Sequence, residues 1–162
     1  MAVCEYSSPL GTMLLASENG MLAGTWFENA KYFAAGLNDA CVDPNDPTLQ
    51  QAKCWLDAYF AGRRPDPHAL ALRLSGSKFR QAVLQLLLEI PYGKTVTYGQ
   101  LAARLAGQTG KRVSAQAVGG AVGHNPISVV IPCHRVLGAD GGLTSYAGGL
   151  ERKQTLLQLE ML

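Results

Sequence analysis

Apolar positions form short β-type runs near the start of the chain and recur every three or four residues later, so the pattern predicts strands first and helices afterwards. Residues 12–17 (Thr-Met-Leu-Leu-Ala-Ser) and 21–27 (Met-Leu-Ala-Gly-Thr-Trp-Phe) flank Glu18-Asn19-Gly20. An Asn-Gly step between two such runs predicts a hairpin. After Asp46-Pro47, the residues Leu49, Ala52, Leu56, Tyr59 and Phe60 share one helical face. Asp46 is placed to cap that helix, Pro47 suits its first position, and Gly62 is a natural stop. Residues 70–74 (Leu-Ala-Leu-Arg-Leu) predict a returning strand, and Ser75-Gly76-Ser77 then breaks the pattern. That break divides the chain into residues 1–75 and 76–162.

Beyond the break the spacing is helical. Phe79, Val83, Leu86, Leu87 and Ile90 mark one face of a helix that Pro91-Tyr92-Gly93 ends. Thr97 and Gln100 fit a capping box, opening a helix through about Ala106 that Gly107 closes. Ser114 is placed to cap another helix over residues 115–123. Two short helices about a turn suggest a helix-turn-helix, although the loop over residues 108–113 exceeds the usual three or four. Gly119 and Gly120 each cost a helix about 1 kcal/mol relative to alanine. Small residues there either admit a neighbouring helix or present backbone to a groove.

Composition narrows the function classes. With 162 residues, 48% hydrophobic and 16% charged, the chain can bury a core and is no disordered tail. It contains no apolar run of the roughly 18 residues that span a bilayer, so no membrane association is expected. Its start, MAVCEYSSPLG, has neither a basic leader nor an apolar core, so no secretory signal is expected and a cytoplasmic location is. A net charge of +2 excludes binding dominated by overall charge; any nucleic acid must be held by local charge and by shape. The four cysteines, Cys4, Cys41, Cys54 and Cys133, form no CxxC pair. Neither a metal site, a cofactor nor a disulfide framework is expected.

The candidate chemistry lies in residues 128–136, Ser-Val-Val-Ile-Pro-Cys-His-Arg-Val. An apolar stretch, read as a buried strand, runs into Cys133, His134 and Arg135. Cationic neighbours lower a thiol pKa, and the thiolate is the nucleophile. Neighbours on a strand point to opposite faces, however. His134 therefore acts on Cys133 only if Pro132 ends the strand, or through a bridging water. On spacing alone, a buried structural cysteine beside an unrelated histidine describes these residues better.

The string Pro132-Cys-His-Arg-Val136, preceded by Asn125-Pro126, resembles the O6-alkylguanine-DNA alkyltransferases. So do residues 90–102 (Ile-Pro-Tyr-Gly-Lys-Thr-Val-Thr-Tyr-Gly-Gln-Leu-Ala), 117–121 (Ala-Val-Gly-Gly-Ala), 146–150 (Tyr-Ala-Gly-Gly-Leu) and 6–11 (Tyr-Ser-Ser-Pro-Leu-Gly), in the order that family has them. The resemblance spans essentially the whole chain. It implies an α/β fold: a small ribonuclease H-like N-terminal domain, then a helical, winged-helix-like DNA-binding domain. It also implies that alkylated double-stranded DNA is bound through the minor groove without an obligate protein partner. The damaged guanine (or O4-alkylthymine) is flipped out, and its alkyl group moves to the protein's own cysteine in a single turnover.

The resemblance further implies roles. Cys133 is the nucleophile, His134 takes its proton through a water, and Glu160 orients His134. Tyr98 donates a hydrogen bond to the departing base, and Asn125 braces the turn between the recognition helix and the cysteine. The carbonyls of Cys133 and Val136 receive the exocyclic amine, the Ala147 amide approaches O6, and Tyr146 walls the pocket. Ala147 stands where many relatives have serine. The DNA surface comprises Gln116, Ala117, Gly119 and Gly120 with Arg112 and Arg135. Arg135 is assigned to bracing the domain interface, and Lys153 to loop support.

One departure is plain. Relatives usually carry arginine, which fills the gap left by the flipped base, where this chain has Gln116. Arg112, four residues upstream, compensates only if the helix extends that far. Three other readings compete: an alkyltransferase-like protein that binds damage without repair, a Cys-His hydrolase, and a helix-turn-helix regulator. Cys133 argues against the first, which typically lacks the nucleophile. The second leaves the small-residue helix without a role. The third lacks a dimerisation element and a markedly basic recognition helix.

Overall fold

A computed structural model describes residues 1–161 of the chain. It forms two compact units, Met1–Leu74 with Pro126–Val130, and Ser75–Asn125 with the chain from Ile131 onward. A single cut at residue 75 does not anticipate the return of Pro126–Val130 to the first unit.

The first unit is a sheet of β1 (Ala2–Ser8), β2 (Gly11–Glu18), β3 (Met21–Phe27) and β4 (Cys41–Val42), ordered β3-β2-β1-β4. β1 and β3 pair antiparallel with β2, and β4 pairs parallel with β1. The β2–β3 hairpin turns where the Asn-Gly step predicts it. Glu18 pairs with Met21, and Asn19 and Gly20 take φ of 52° and 76°. Two successive left-handed residues match the twist of the flanking strands.

Helix α1 (Pro47–Phe60) covers this sheet with Leu49, Ala52, Trp55, Leu56 and Tyr59. Each large side chain in that row contributes about 1.5–3 kcal/mol on burial. Asp46 caps the helix as expected, accepting from the Leu49 amide at 3.1 Å, and it also accepts from Ser17 Oγ at 2.8 Å. One carboxylate thus fixes the helix start to β2.

Two expected strands do not form. Residues 70–74 make only a single bridge, Leu22 to Leu72, with hydrogen bonds from Leu22 N to Ala71 O and from Arg73 N to Leu22 O. The apolar stretch before Cys133 is buried but turned. Val129 has φ of 72°, and the segment is held to β3 by a bridge between Thr25 and Ile127 and by the bond from Thr25 Oγ1 to Ser128 O at 2.7 Å. An apolar run specifies burial, not an extended backbone.

The second unit comprises α2 (Lys78–Leu88), β5 (Val96–Thr97), α3 (Tyr98–Thr109), α4 (Ala115–Gly123), β6 (Val136–Leu137) and α5 (Leu150–Glu160). Thr97 and Gln100 form the capping box in full. Gly107 does not stop α3. The helix runs on to Thr109, and Gly110 ends it in the left-handed region at φ 69°. A glycine inside a helix costs stability but breaks nothing; the end falls where the backbone must turn left-handed. Ser114 caps α4 by accepting from the Ala117 amide at 3.1 Å. Val118, Ala121 and Val122 are its buried face.

Candidate functional site

Pro132 ends the turned segment, and Cys133–Arg135 follow as one turn of 3-10 helix. This removes the objection that neighbours on a strand face apart. The turn leads into β6, whose Val136 and Leu137 pair in parallel with Val96 and Thr97 of β5. That short ladder sets the cysteine turn beside the start of α3, where Tyr98 is the first helical residue.

All three residues of the turn are buried. Cys133 is 5% exposed, His134 0% and Arg135 7%. Glu160, the last residue of α5, is 3% exposed and meets the turn. His134 Nε2 lies 2.5 Å from Glu160 Oε2. The same carboxylate accepts from Arg135 Nε at 2.7 Å, from Arg135 Nη2 at 3.1 Å and from the Gly93 amide at 3.1 Å. Arg135 Nη1 also donates to Ile90 O at 2.7 Å.

The electrostatics differ from the picture of a thiol depressed by cationic neighbours. Burial pushes the Cys133 thiol above its ordinary value, and the Asn125 hydrogen bond and the Lys153 charge only pull it part-way back. Burial pushes His134 the other way, below its ordinary value. The Glu160 hydrogen bond and charge oppose this, while the charges of Arg135 and Lys153 reinforce it. At neutral pH the pair is therefore a thiol beside a neutral imidazole. With Glu160 holding the Nε2 proton, Nδ1 is the basic atom.

Asn125 is 5% exposed, and its Nδ2 donates to Ile131 O at 3.0 Å. Its own amide donates to Val122 O at 3.1 Å, so it joins the end of α4 to the approach of Cys133. Lys153, wholly buried, donates from Nζ to Val136 O at 2.6 Å and to Ser145 O at 3.0 Å. It ties β6 to the loop that carries Tyr146 and Ala147. The Tyr146 ring stands edge-on to His134 with centroids 6.5 Å apart. The Tyr98 hydroxyl accepts from Thr144 Oγ1 at 3.4 Å, and Lys153 Nζ lies 6.0 Å from the Tyr98 ring centre.

α4 presents a different surface. Ala115, Gln116, Ala117 and Gly120 are exposed. A side chain at Gly120 would meet nothing within 4 Å, and one at Gly119 only the Tyr98 ring at 3.8 Å. Neither glycine is needed to admit a neighbouring helix. Arg112 lies before the cap of α4 and not one turn up the helix, so the condition for its compensating Gln116 is not met. It lines a cavity of about 810 Å³ with Lys78, Phe79, Leu105 and Lys111.

Known proteins resemble the chain along its whole length. The 6-O-methylguanine DNA methyltransferase DNA-binding domain matches residues 78–162, and the ribonuclease-like domain of those methyltransferases matches residues 4–74. A methylated-DNA–protein-cysteine methyltransferase of Mycobacterium leprae is 42% identical over 153 residues, covering 94% of this chain and 88% of the relative. One from Haemophilus influenzae is 40% identical over 158 residues, covering 97% and 84%. Mycobacterium tuberculosis OGT, in its crystal structure with DNA, is 39% identical with a TM-score of 0.85, covering 99% of this chain and 93% of that one. The chain belongs to the methylated-DNA–protein-cysteine methyltransferase family. The α/β fold, with a ribonuclease-like first part and a helical DNA-binding second part, is that of the family.

Within this methyltransferase fold, the structure gathers Cys133, His134, Glu160, Asn125, Val136, Tyr98, Tyr146 and Lys153 into one neighbourhood of the second unit. It keeps Gln116 and Ala117 on the exposed side of α4. Arg135 is placed otherwise than expected. Its guanidinium is committed to Glu160 and Ile90 and stacks 5.6 Å from the Tyr92 ring, all within the second unit. A buried, fully engaged side chain is not available to a phosphate. Gly93 is the residue that sequence reasoning missed. The Pro91-Tyr92-Gly93 signal is read as a helix stop, and the structure adds that the Gly93 amide donates to Glu160.

Proposed function

We propose that the protein repairs alkylated duplex DNA by moving the alkyl group from O6 of guanine to Sγ of Cys133, once per molecule. The observation that carries this is the buried turn in a member of this family: a thiol, an imidazole next to it in the chain, and a carboxylate 2.5 Å from the imidazole.

In the reaction, the Cys133 S–H bond breaks and its proton passes through a bridging water to His134. Sulfur attacks the alkyl carbon as the C–O6 bond breaks, and the electron pair of that bond leaves with guanine. Tyr98 stabilises the departing base with a hydrogen bond. The Cys133 carbonyl already accepts from the Val136 amide, and the Val136 carbonyl accepts from Lys153. Each carbonyl oxygen has two lone pairs, so one remains on each for the exocyclic amine of guanine. The Ala147 amide approaches O6, Tyr146 walls the base, and Asn125 holds the thiol side. The thioether product resists hydrolysis, which makes the transfer stoichiometric.

The DNA surface in this reading is α4, with Gln116, Ala117, Gly119 and Gly120 toward the minor groove and Arg112 on its flank. The open space over Gly120 supports a backbone approach of that kind. The first unit serves as the ribonuclease-like domain and the second as the alkyl-accepting domain. A cytoplasmic location goes with the reading. It is supported by the free state of Cys4, Cys41, Cys54 and Cys133, and no helix among the described residues is long and apolar enough to cross a membrane.

The test is the intact mass of the protein after mixing with an O6-methylguanine duplex. A gain of one methyl group, saturating at one per molecule, is expected. An unchanged mass with DNA bound would favour a damage-binding protein, and catalytic turnover would favour a hydrolase.

A further inference from the structure

Glu160 is held more firmly than orientation of a histidine requires. A carboxylate that only steered the imidazole would need its one hydrogen bond to Nε2. Here it also takes two from the planar fork of Arg135 and one from the Gly93 amide. Gly93 can supply that amide because it sits at φ 77°, and a Cβ there would come within 3.1 Å of the Glu160 carbonyl oxygen. The guanidinium is itself fixed at its third corner by Ile90 O and against the Tyr92 ring.

The charges give this arrangement a purpose. A buried carboxylate beside a buried imidazole forms a pair that favours a resident proton, since the protonated pair is neutral and the unprotonated one is not. A base already carrying a proton cannot take one from Cys133. With the guanidinium on the carboxylate, the unprotonated His134–Glu160–Arg135 cluster is neutral and an added proton makes it cationic.

We propose that Arg135 and Gly93 are positioning residues that clamp Glu160 as a carboxylate, so that it orients His134 without lodging a proton on it. The clamp keeps the imidazole ready as a base well into mildly acidic solution. The groups that face His134 are Glu160 and Lys153 of α5, Cys133 and Arg135 of its own turn, and Tyr146 of the following loop. Of the two cations among these, Arg135 alone is bonded to Glu160; Lys153 is bonded to the carbonyls of Val136 and Ser145. The direction in which Arg135 pushes His134 is downward, in keeping with the clamp.

This inference rests on the proposed transfer to Cys133, and its test separates the two. Single-turnover transfer from an O6-methylguanine duplex is followed between pH 5 and pH 8, the amplitude reporting the active fraction and the rate reporting the poise of the base. In parallel, proton uptake by the His134 imidazole is followed by NMR in a Cys133→Ser background, where no transfer is needed. Arg135→Gln is expected to move the acid limb of the rate and the imidazole titration upward together, by about one pH unit or more. Arg135→Lys keeps the charge and is expected to hold both near their parent positions, even where the lost fork lowers the plateau. No shift with glutamine, or equal shifts with glutamine and lysine, would overturn the clamp. Should the glutamine variant fail to fold, the lysine variant decides alone, since an upward move despite the retained charge contradicts the proposal. A parent protein that gains no methyl group defeats the transfer reading, while the imidazole titration still judges the clamp.

Discussion

Two regions of the second unit work by opposite means. The turn at Cys133–Arg135 is buried, and its His134 and Arg135 side chains are held by directional bonds to Glu160 and Ile90 O, while the Gly93 amide donates to Glu160 in turn. The outer face of α4 is exposed, built from small residues, and carries one uncharged polar side chain, Gln116. In the turn, removing one group leaves others buried without their partners, so single changes are severe. Among the described residues the outer face of α4 shows no such partner, so single changes there are mild and act through shape and charge. In the proposed reading, chemistry is concentrated in the first region and recognition is spread over the second.

The largest expected effect is at the sulfur. Cys133→Ser abolishes transfer while leaving DNA binding near that of the parent, measured by methyl uptake alongside a duplex-binding titration. A loss of binding of comparable size would mean that the two regions are not separable.

Next come the proposed base and the carboxylate that orients it. His134→Ala and Glu160→Gln are expected to slow transfer by about 10²–10⁴-fold, the usual worth of general-base assistance. Circular dichroism checks that each variant is folded. Parent rates in both would leave Cys133 to be activated by local positive charge alone.

The effects on α4 are smaller. Gln116→Arg is expected to tighten duplex binding, steepen its salt dependence by about one counterion, and speed transfer on duplex DNA. Transfer from the free base O6-methylguanine, where nothing is flipped, should change much less. An equal gain on both substrates would show that position 116 does not fill the vacated stack. Gly120→Ala should stabilise the fold by about 0.5–1 kcal/mol, because the added methyl meets nothing and the helix gains propensity. It should nevertheless weaken duplex binding. If denaturant melts show the stabilisation and binding is untouched, the small-residue face is not the contact.

The same contrast explains what could be read from the chain. Features set by neighbours in sequence were legible: the Asn19-Gly20 hairpin, the Asp46 and Ser114 caps, and the Thr97–Gln100 box follow from local bonding rules. Features set by distant partners were not. Residues 70–74 and the apolar stretch before Cys133 have strand-like composition, but only their long-range partners decide that the first makes a single bridge and the second a turn. Nothing local marks Gly110 above Gly107 as the end of α3. Arg135 read as a surface or interface cation because its partners, Glu160 and Ile90, lie 25 and 45 residues away. Cys133 and His134 were visible as a pair, but the raised thiol and lowered imidazole follow from burial, which adjacency does not reveal.

The most direct test is to map the alkyl group after reaction with an O6-methylguanine duplex, by digestion and mass spectrometry of the four cysteine-containing sites. The account predicts one methyl per molecule, on Cys133 only, with none on Cys4, Cys41 or Cys54 and none anywhere in Cys133→Ser. A methyl group on another cysteine, or uptake that survives Cys133→Ser, would contradict it.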